Sequence, residues 1–456
     1  MGAAGRRRGQ SVGEWMIGRL GGRLGVRGRL LLFGTTTGLV MAAASPAVAG
    51  GFYLKEQSVK GLGRANSGEV ADQGPASLWW NPAAIGGLKH REATFGASAI
   101  VPRSTASDSG TLIDRPGAAP VAVGGISLLE DPIVSGVAPN NAFAMPIGER
   151  IAVGVAVTSP FSFTSDYDAA GWQRYSAIRS RLITLDIQPS IGFAATDWLS
   201  VGAAVNIEYA DAWLSNALPN LAPGLADGRL RLTGNGWDLG WSAGLQLRAG
   251  KRATFGLSYK SAVEHKLKGP VEITGLAGPL AANNVKAQTT ATFTTPWQLI
   301  FGGRVGVTES LTLNAQATRF GWSKFDRIEV GAPIGNAIEQ NYKDTWAVSL
   351  GFDQALGERL TVRGGIQFDA TPTRDASRDP RVPDGDRVDY NLGASFRMSE
   401  RISLDAAAGY IDVESGPISR DERFYAGTAA QVDVLTDGRV DNPRVFVLSM
   451  GGRLSF

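Results

Sequence analysis

Alternating apolar and polar residues dominate the chain from about residue 91 to its end. Between Trp237 and Leu247 every second residue is apolar, and after the turn at Gly250-Lys251 the alternation resumes at Phe255. The same unit, two alternating segments around a very short turn, recurs around positions 196–197, 308–310, 356–358 and 399–401. A period of two is typical of β-strands, so these units are predicted β-hairpins.

The alternation predicts fourteen strands, an even number as bacterial membrane barrels require. Their predicted bounds are 91–101, 139–147, 151–160, 178–194, 199–213, 236–249, 252–267, 288–307, 310–325, 341–354, 359–370, 386–398, 401–414 and 444–456. We predict an all-β fold, a 14-stranded antiparallel transmembrane β-barrel over residues 91–456.

A soluble sandwich or propeller also alternates, and three details favour a membrane barrel. The strands are close to the 9–11 residues that cross a bilayer at a tilt. Turns of about four residues alternate with loops of roughly 15–40. Aromatic residues such as Trp237, Trp297, Trp346 and Tyr390 recur where strands meet loops, as in an interfacial girdle.

The last strand ends on Phe456, with Phe446, Leu448, Met450 and Leu454 on the same face. A terminal aromatic residue on an alternating strand looks like the signal that barrel-assembly machinery reads, so we expect that machinery as a partner. The strand must close against the first one, because an open edge in lipid leaves backbone groups unpaired.

Residues 1–49 differ in composition from the rest. They hold seven arginines and one acid, Glu14, then an apolar run from Leu30 and the tripeptide Ala47-Val48-Ala49. This order predicts a secretory signal peptide cleaved after Ala49. A nucleic-acid-binding arm would not need the apolar run, and a membrane anchor would need about 20 apolar residues without the threonines at 35–37.

Composition excludes several classes of enzyme. The chain has no Cys and only His90 and His265, so thiol nucleophiles, disulfides and multi-histidine metal centres are out of reach. Neither histidine has an obvious serine–acid setting, and we expect no enzymatic activity, no cofactor and no metal. We also expect no nucleic-acid partner, and a monomer in contact with outer-membrane lipid and lipopolysaccharide.

Residues 50–90 do not alternate. They contain the run Gly61-Leu62-Gly63-Arg64-Ala65 and, later, Asn81-Pro82-Ala83. A fourteen-stranded lumen is too wide for wall side chains to fill, which predicts that this segment is an N-terminal hatch that plugs it. Its glycines allow close backbone packing, and Asn81 before Pro82 suits a turn into the first strand.

At these residues the chain resembles the OmpP1/FadL/TodX family of outer-membrane transporters for long-chain fatty acids and aromatic hydrocarbons. Further points of resemblance are Gly51-Phe52 to Leu54, Asp344-Thr345-Trp346 through Gly364-Gly365-Ile366, Thr371-Pro372, and residues 381–387. The resemblance implies a fourteen-stranded barrel, a hatch, a hydrophobic capture groove in the extracellular loops, and lateral release of ligand where strand three is kinked.

Several residues are candidates within that scheme. Phe52 and Leu54 resemble the family's terminus that reaches the ligand pocket, and Pro160 is the candidate for the kink and lateral gap. Loops 214–235 and 268–287 are unusually apolar, which indicates either ligand capture or leucines that cap the barrel by packing on each other. The candidate leucines are Leu214, Leu218, Leu221, Leu276 and Leu280.

By strand parity Lys260, Arg304 and Arg363 point inward and are candidates for binding a carboxylate. The run Arg374, Asp375, Arg378, Asp379, Arg381 is interpreted as a solvated loop. Passive uptake of hydrophobic molecules, with long-chain fatty acids as cargo, is the leading hypothesis. An aromatic hydrocarbon or alkane channel and a general porin stay open as alternatives.

Overall fold

A computed structural model describes residues 50–456. The predicted signal peptide, residues 1–49, therefore lies outside the described residues. Gly50, which follows the predicted cleavage site after Ala49, is the first residue described. No helix in this part of the chain is long and apolar enough to cross a membrane. The helices are short: α1 (Val59–Leu62) and 3-10 helices at Glu69–Ala71, Pro75–Ser77, Pro82–Ile85, Gly278–Asn283, Trp322–Lys324 and Asp375–Ser377.

Nearly all the regular structure is antiparallel sheet. The strands are β1 (Glu92–Asp108), β2 (Leu112–Asp114), β3 (Val121–Ala122), β4 (Leu128–Glu130), β5 (Gly136–Pro146), β6 (Ile151–Thr158), β7 (Ser162–Asp166), β8 (Arg179–Ala194), β9 (Leu199–Leu218), β10 (Gly228–Ala249), β11 (Ala253–Lys260), β12 (Val263–Thr274), β13 (Val285–Thr295), β14 (Gln298–Gly306), β15 (Leu311–Phe320), β16 (Arg327–Val330), β17 (Asn336–Glu339), β18 (Thr345–Leu356), β19 (Leu360–Asp369), β20 (Arg387–Arg397), β21 (Ile402–Val413), β22 (Gly416–Phe424) and β23 (Val432–Ser455).

Fourteen of these strands close into a barrel, which confirms the predicted fold class and strand number. The ring runs through β1, β5, β6, β8, β9, β10, β11, β14, β15, β18, β19, β20, β21 and β23, and β23 pairs with β1 from Glu92↔Ser455 to Arg103↔Arg444. Closure satisfies the ladder hydrogen bonds of both terminal strands.

The two faces of the wall differ as the alternation predicts. Large apolar side chains point outward, among them Leu239 at 70% and Leu392 at 68% exposure. Inward-facing positions carry polar residues such as Ser242, Gln246 and Gln316, which are buried. Outward-facing aromatic residues form one girdle near the long-loop end, with ring contacts Tyr209–Trp237, Trp241–Tyr259, Tyr259–Trp297, Phe301–Trp346 and Tyr410–Phe446. By the asymmetry of loop lengths this end is extracellular.

The extracellular ends depart from the predicted bounds. The predicted strand 252–267 is broken between β11 and β12, and 288–307 is broken between β13 and β14. The predicted loop 214–235 shrinks to residues 219–227, and 268–287 shrinks to residues 275–284, because β9, β10, β12 and β13 continue as paired strands beyond the girdle. Leu214 and Leu218 are therefore strand residues.

The third barrel strand is interrupted at Pro160. Its lower part, β6, ends at Thr158 opposite Asp186, and its upper part, β7, resumes at Ser162 opposite Ile183. Three residues of strand three therefore face two of β8, which is the geometry of a bulge. Proline lacks the N–H that a ladder requires, so it suits this position.

Candidate functional site

The N-terminal segment, residues 50–90, contacts inward-facing groups on opposite sides of the barrel. Gln188 of β8 donates to the carbonyl of Leu78 (2.9 Å), and Gln246 of β10 donates to the carbonyl of Val70 (3.1 Å). On the other side Lys55 pairs with Asp389 of β20. Nearly all residues from Gly50 to Gly86 are buried.

Glycines in the wall allow this segment to approach at backbone distance. A Cβ on Gly365 of β19 would lie 2.3 Å from the carbonyl carbon of Arg64, and one on Gly202 of β9 would lie 2.3 Å from that of Pro82. A Cβ on Gly63 would in turn lie 2.9 Å from Cα of Gly393 in β20. Any side chain at these places would collide with main chain, which cannot rotate away.

Asn81 shows how the segment is fixed locally. Its side-chain oxygen accepts from the N–H of Ala83 (2.9 Å), and so caps the 3-10 helix that starts at Pro82. Its Nδ2 donates to the carbonyls of Val70 (2.8 Å) and Leu245 (3.0 Å), the latter in the wall. One side chain thus joins two turns of the segment to β10.

In the periplasmic half of the lumen an ion network joins the segment to the wall. The fully buried Arg64 pairs with Glu69, with Asp72 (2.7 Å) and with Asp353 of β18 (3.2 Å). Arg304 bridges Asp72 (3.2 Å) and Asp353 (3.1 Å), and Arg363 reaches Asp353 at 2.6 Å. Each buried charge has opposite charges beside it, which makes the network compatible with burial.

In the extracellular half the first residues of the segment contact aromatic rings. Phe52 is completely buried, with ring centroids 4.9 Å from both Trp322 and Phe325 and 5.9 Å from Phe161. Just before it, the N–H groups of Gly50 and Gly51 donate to Asp369 (3.2 Å) and Asp384 (2.8 Å). These two carboxylates hold the chain where Phe52 enters the aromatic cluster.

An apolar pocket, the loop-side cavity, lies beside this cluster, and its empty space of about 670 Å³ is partly open to solvent. Phe163, Phe293 and Phe325 line it together with Leu182, Leu214, Leu232 and Leu267. Phe163 and Phe325 also touch Phe52, at 5.7 and 4.9 Å between centroids. The polar lining includes Arg181, Gln340 and Arg381.

The charge run that we interpreted as a solvated loop is buried in part, and that interpretation is wrong for three of its five members. Arg378, Asp379 and Arg381 are buried, whereas Arg374 and Asp375 are exposed. Arg381 donates to Asp379 at 2.7 Å, and Arg420 of β22 lies 3.7 Å from the same carboxylate. Burial acts to raise the pKa of Asp379, but Arg381 and Arg420 hold it below its ordinary value.

Buried donors remain without a partner at the edge of the loop-side cavity. Among residues 50–456, Nε of Arg381 and Nε2 of Gln340 make no hydrogen bond. Both residues line the cavity and both are buried, at 7% and 6% exposure. The sequence analysis placed Arg381 in a solvated loop and did not name Gln340, since nothing in the alternation indicates where residues between strands fold back.

The candidate leucines divide into two groups. Leu214 lines the loop-side cavity, as part of β9. Leu218, Leu276 and Leu280 are buried against one another, with Leu221 packed on them. This packing agrees with the capping alternative, and a ligand-capturing role for these leucines stays a prediction.

The candidate cations all face inward but have neighbours already. Lys260 is buried, its Nζ lies 3.5 Å from the centroid of Trp79, and it donates to Gln188 at 2.9 Å. Arg304 and Arg363 belong to the ion network of Asp353. Their contact with a ligand stays a prediction.

Strand three and the N-terminal segment meet at the bulge. The N–H of Leu54 donates to the carbonyl of Pro160 (2.8 Å), and the N–H of Ser162 donates to the carbonyl of Phe52 (3.0 Å). Below the bulge, a second pocket of about 390 Å³, the strand-three cavity, lies between residues 57–60 of the segment and Thr158 of β6. The segment therefore touches both cavities and the interrupted wall strand.

Within residues 50–456 no group of three or more His, Asp or Glu side chains is arranged to hold a metal ion. His265 is buried against Phe293, with Glu208 and Asp238 each 3.5 Å from one of its ring nitrogens. This places the histidine in an ion cluster of the barrel wall.

A closed fourteen-stranded barrel with a lipid-facing apolar surface, an interfacial aromatic girdle and an internal apolar cavity defines a bacterial outer-membrane channel. The profile of the family described as "Outer membrane protein transport protein (OMPP1/FadL/TodX)" matches residues 40–449. The chain belongs to this family, and the resemblance seen in the sequence is confirmed. It is therefore an outer-membrane transporter of hydrophobic compounds and not an enzyme.

Relatives of both cargo classes are similar to the chain. Outer membrane protein P1 of Haemophilus influenzae is 26% identical over 410 residues, 82% of this chain and 88% of the relative. The long-chain fatty acid transport protein of Escherichia coli K12 is 25% identical, over 84% of this chain and 93% of the relative.

Two solved structures share the fold. A Pseudomonas aeruginosa FadL homologue has a TM-score of 0.78 and 23% identity, and the match covers 89% of this chain and 100% of the homologue. The Pseudomonas putida toluene transporter TodX has a TM-score of 0.61 and 16% identity, and the match covers 90% of this chain and 100% of TodX.

Proposed function

We propose that this protein takes up amphipathic hydrophobic molecules with a carboxylate head, of the long-chain fatty acid class, by passive diffusion. The observation that carries the proposal is the pair of unpartnered buried donors, Arg381 Nε and Gln340 Nε2, at the edge of an otherwise apolar cavity. A buried donor without an acceptor is costly, and a charged acceptor gains the most from meeting it.

The apolar part of the cavity suits an acyl chain. Its aliphatic and aromatic walls would remove the chain from water at about 25 cal/mol per Å² of buried surface. A pure hydrocarbon would gain the same burial but would leave both donors unpaired. The donors therefore favour a fatty acid over an aromatic hydrocarbon or alkane.

The aromatic hydrocarbon alternative has its own support in the rings of Phe163, Phe293 and Phe325, which could stack on a monoaromatic ligand. One family member similar to this chain is a toluene transporter. A general porin is disfavoured because it needs an open lumen, whereas the N-terminal segment contacts the wall on opposite sides of the lumen.

We further propose that the N-terminal segment is a hatch and that the bulge at Pro160 is the lateral gap. Phe52 contacts the lining of the loop-side cavity, and the backbone on either side of it is hydrogen-bonded across the bulge. A ligand that displaced Phe52 would release those bonds and open a path towards the strand-three cavity. Release at the side of the barrel would deliver an apolar molecule to lipid without crossing water.

The test compares a fatty acid with a hydrocarbon that matches its alkyl chain, in the purified protein. Replacing Arg381 by Met keeps the volume and removes the guanidinium. We expect binding of oleic acid to weaken by about 10–100-fold, the value of about 1.5–3 kcal/mol for a charged hydrogen bond, and binding of heptadecene to stay unchanged. Isothermal titration or displacement of a fluorescent ligand measures both.

Arg374→Met is the matched control, since Arg374 lies in the same loop and is exposed. It should leave both affinities as they are. Equal loss of oleic acid and hydrocarbon in Arg381→Met would indicate a structural role for Arg381. Tight toluene binding together with no oleic acid binding in the unaltered protein would establish the hydrocarbon alternative.

A further inference from the structure

Above the aromatic girdle, the outward faces of β10, β12 and β13 continue into the extracellular space. Trp237 and Trp241, which are 56% and 53% exposed, mark the girdle on β10. From there β10 continues outward to Gly228, paired with β12 from Asn235↔Lys268 to Arg229↔Thr274. Side chains on this extension point away from the barrel at the height where lipid headgroups lie.

This extension carries a concentration of positive charge, here called the basic patch. It consists of five exposed or half-buried side chains on three neighbouring strands: Arg229, Arg231, Lys266, Lys268 and Lys286. Lys268 lies opposite Asn235, two residues outward from Trp237. The patch thus begins directly above the girdle.

Two carboxylates lie within the basic patch and neutralise only part of it. Lys266 pairs with Glu264 at 2.8 Å, Lys286 pairs with Glu272 at 2.7 Å, and Arg231 also pairs with Glu272. Among residues 50–456 neither Lys268 nor Arg229 has a carboxylate partner. The neighbouring β16 adds no net positive charge, because Arg327 has two carboxylates beside it, Asp326 at 3.5 Å and Glu329 at 3.7 Å.

Hydroxyl groups stand beside the cations. Thr290 and Thr292 of β13 lie opposite Lys268 and Lys266, on the same outward face. Short hydroxyls next to flexible ammonium groups are typical donors to phosphate oxygens.

The opposite side of the barrel has the reverse charge at the same height. The extended β22–β23 hairpin carries Asp421, Asp433, Asp437 and Asp441 on its outward face, against Arg423 and Arg439. An excess of positive charge is therefore not a property of the whole rim.

We propose that the basic patch binds the phosphate groups of lipopolysaccharide, the glycolipid of the outer leaflet. Its acyl chains would lie against the outward-facing apolar wall below Trp237, and its phosphates would meet Lys266 and Lys268 directly above. Each lysine or arginine close to an anionic lipid surface adds attraction that falls off within a Debye length. The acidic hairpin on the other side would repel the same headgroups.

Retention of lipopolysaccharide by the purified full-length protein in detergent tests the proposal. The double variant Lys266→Glu/Lys268→Glu should retain roughly tenfold less lipopolysaccharide in native mass spectrometry. The matched control is Arg423→Glu/Arg439→Glu on the acidic hairpin, which reverses two charges at the same height and should retain as much as the unaltered protein. Heat-modifiable electrophoretic mobility checks that both variants form barrels.

Two further arms identify the source of the phosphate. Dephosphorylated lipid A should lose its preference for the basic patch, and phosphatidylglycerol should bind more weakly than lipopolysaccharide. Equal retention by the two double variants, or phosphatidylglycerol binding that matches lipopolysaccharide, would overturn the proposal.

Discussion

The two halves of the lumen hold the N-terminal segment by opposite means. In the periplasmic half, Arg64 and its carboxylates form an ion network, and wall glycines such as Gly365 allow backbone contact. In the extracellular half, Phe52 lies among aromatic rings beside an apolar cavity. The ion network has no apolar surface for a hydrophobic ligand, whereas the aromatic cluster offers surroundings that a ligand could share with Phe52.

This difference separates anchoring from exchange. Apolar contacts are non-directional, so an acyl chain could replace Phe52 at little cost. An acyl chain cannot replace a partner in a buried ion pair in the same way, because removing one partner leaves the other charge without compensation. A segment held in this way would yield first at its extracellular tip and stay attached below.

The largest effect should come from removing the close approach in the periplasmic half. In Gly365→Ala the new Cβ would lie 2.3 Å from the carbonyl of Arg64, so the segment must leave its place. Because the chain has no cysteine, a Ser67→Cys background has one thiol that reports the release. We expect the thiol of Ser67→Cys, which is buried while the segment stays in place, to become reactive to maleimide in Gly365→Ala. The channel conductance in planar bilayers should rise at the same time.

Gly364→Ala is the matched control, because the nearest atoms to its Cβ belong to the lipid-facing side chains of Phe352 and Leu392. It should leave the thiol protected. A protected thiol in Gly365→Ala as well would show that close packing on the wall does not hold the segment.

A smaller effect should follow from weakening the ion network. Asp353→Asn removes the carboxylate shared by Arg64, Arg304 and Arg363. Loss of a buried partner costs about 3–5 kcal/mol, so the thiol of the Ser67→Cys background should react faster than in the parent and slower than in Gly365→Ala. Reaction rates below or equal to the parent would contradict an anchoring role for Asp353.

The smallest effect concerns pH at the extracellular end. Burial raises the pKa of Glu422 to about 7, although Arg381 and Arg420 act to lower it. Below pH 7 Glu422 is neutral, and above it the new negative charge opposes a ligand carboxylate at Arg381. Oleic acid affinity should fall a few-fold between pH 6 and pH 8, and Glu422→Gln should remove that dependence while the periplasmic network is unaffected.

The barrel could be predicted from the sequence because each wall strand has one lipid face and one lumen face. That asymmetry imposes the period of two, so the ring of fourteen strands was predictable from residues such as Leu239 and Leu350. The same rule does not apply beyond the hydrocarbon core of the membrane, where β12 and β13 continue, and their bounds were predicted wrongly.

The candidate site was less accessible because it depends on contacts between distant segments. Arg381 is part of a charged run with the local appearance of a surface loop, yet Arg420, on a different strand, lies beside its partner Asp379. Gly202 and Gly365 look like ordinary small residues of a strand until the position of the N-terminal segment is known. Phe52 and Pro160 could be named in advance only through the resemblance to a family.

The glycines of the wall have one more consequence. The wall has only main chain at the positions where the N-terminal segment packs against it, so the lumen is shaped to fit this one segment. Without the segment, no wall side chain would narrow the lumen at these positions. We therefore expect loss of residues 50–90 to yield a leaky pore, so that the outer membrane's barrier to detergents and antibiotics depends on this short stretch of polypeptide.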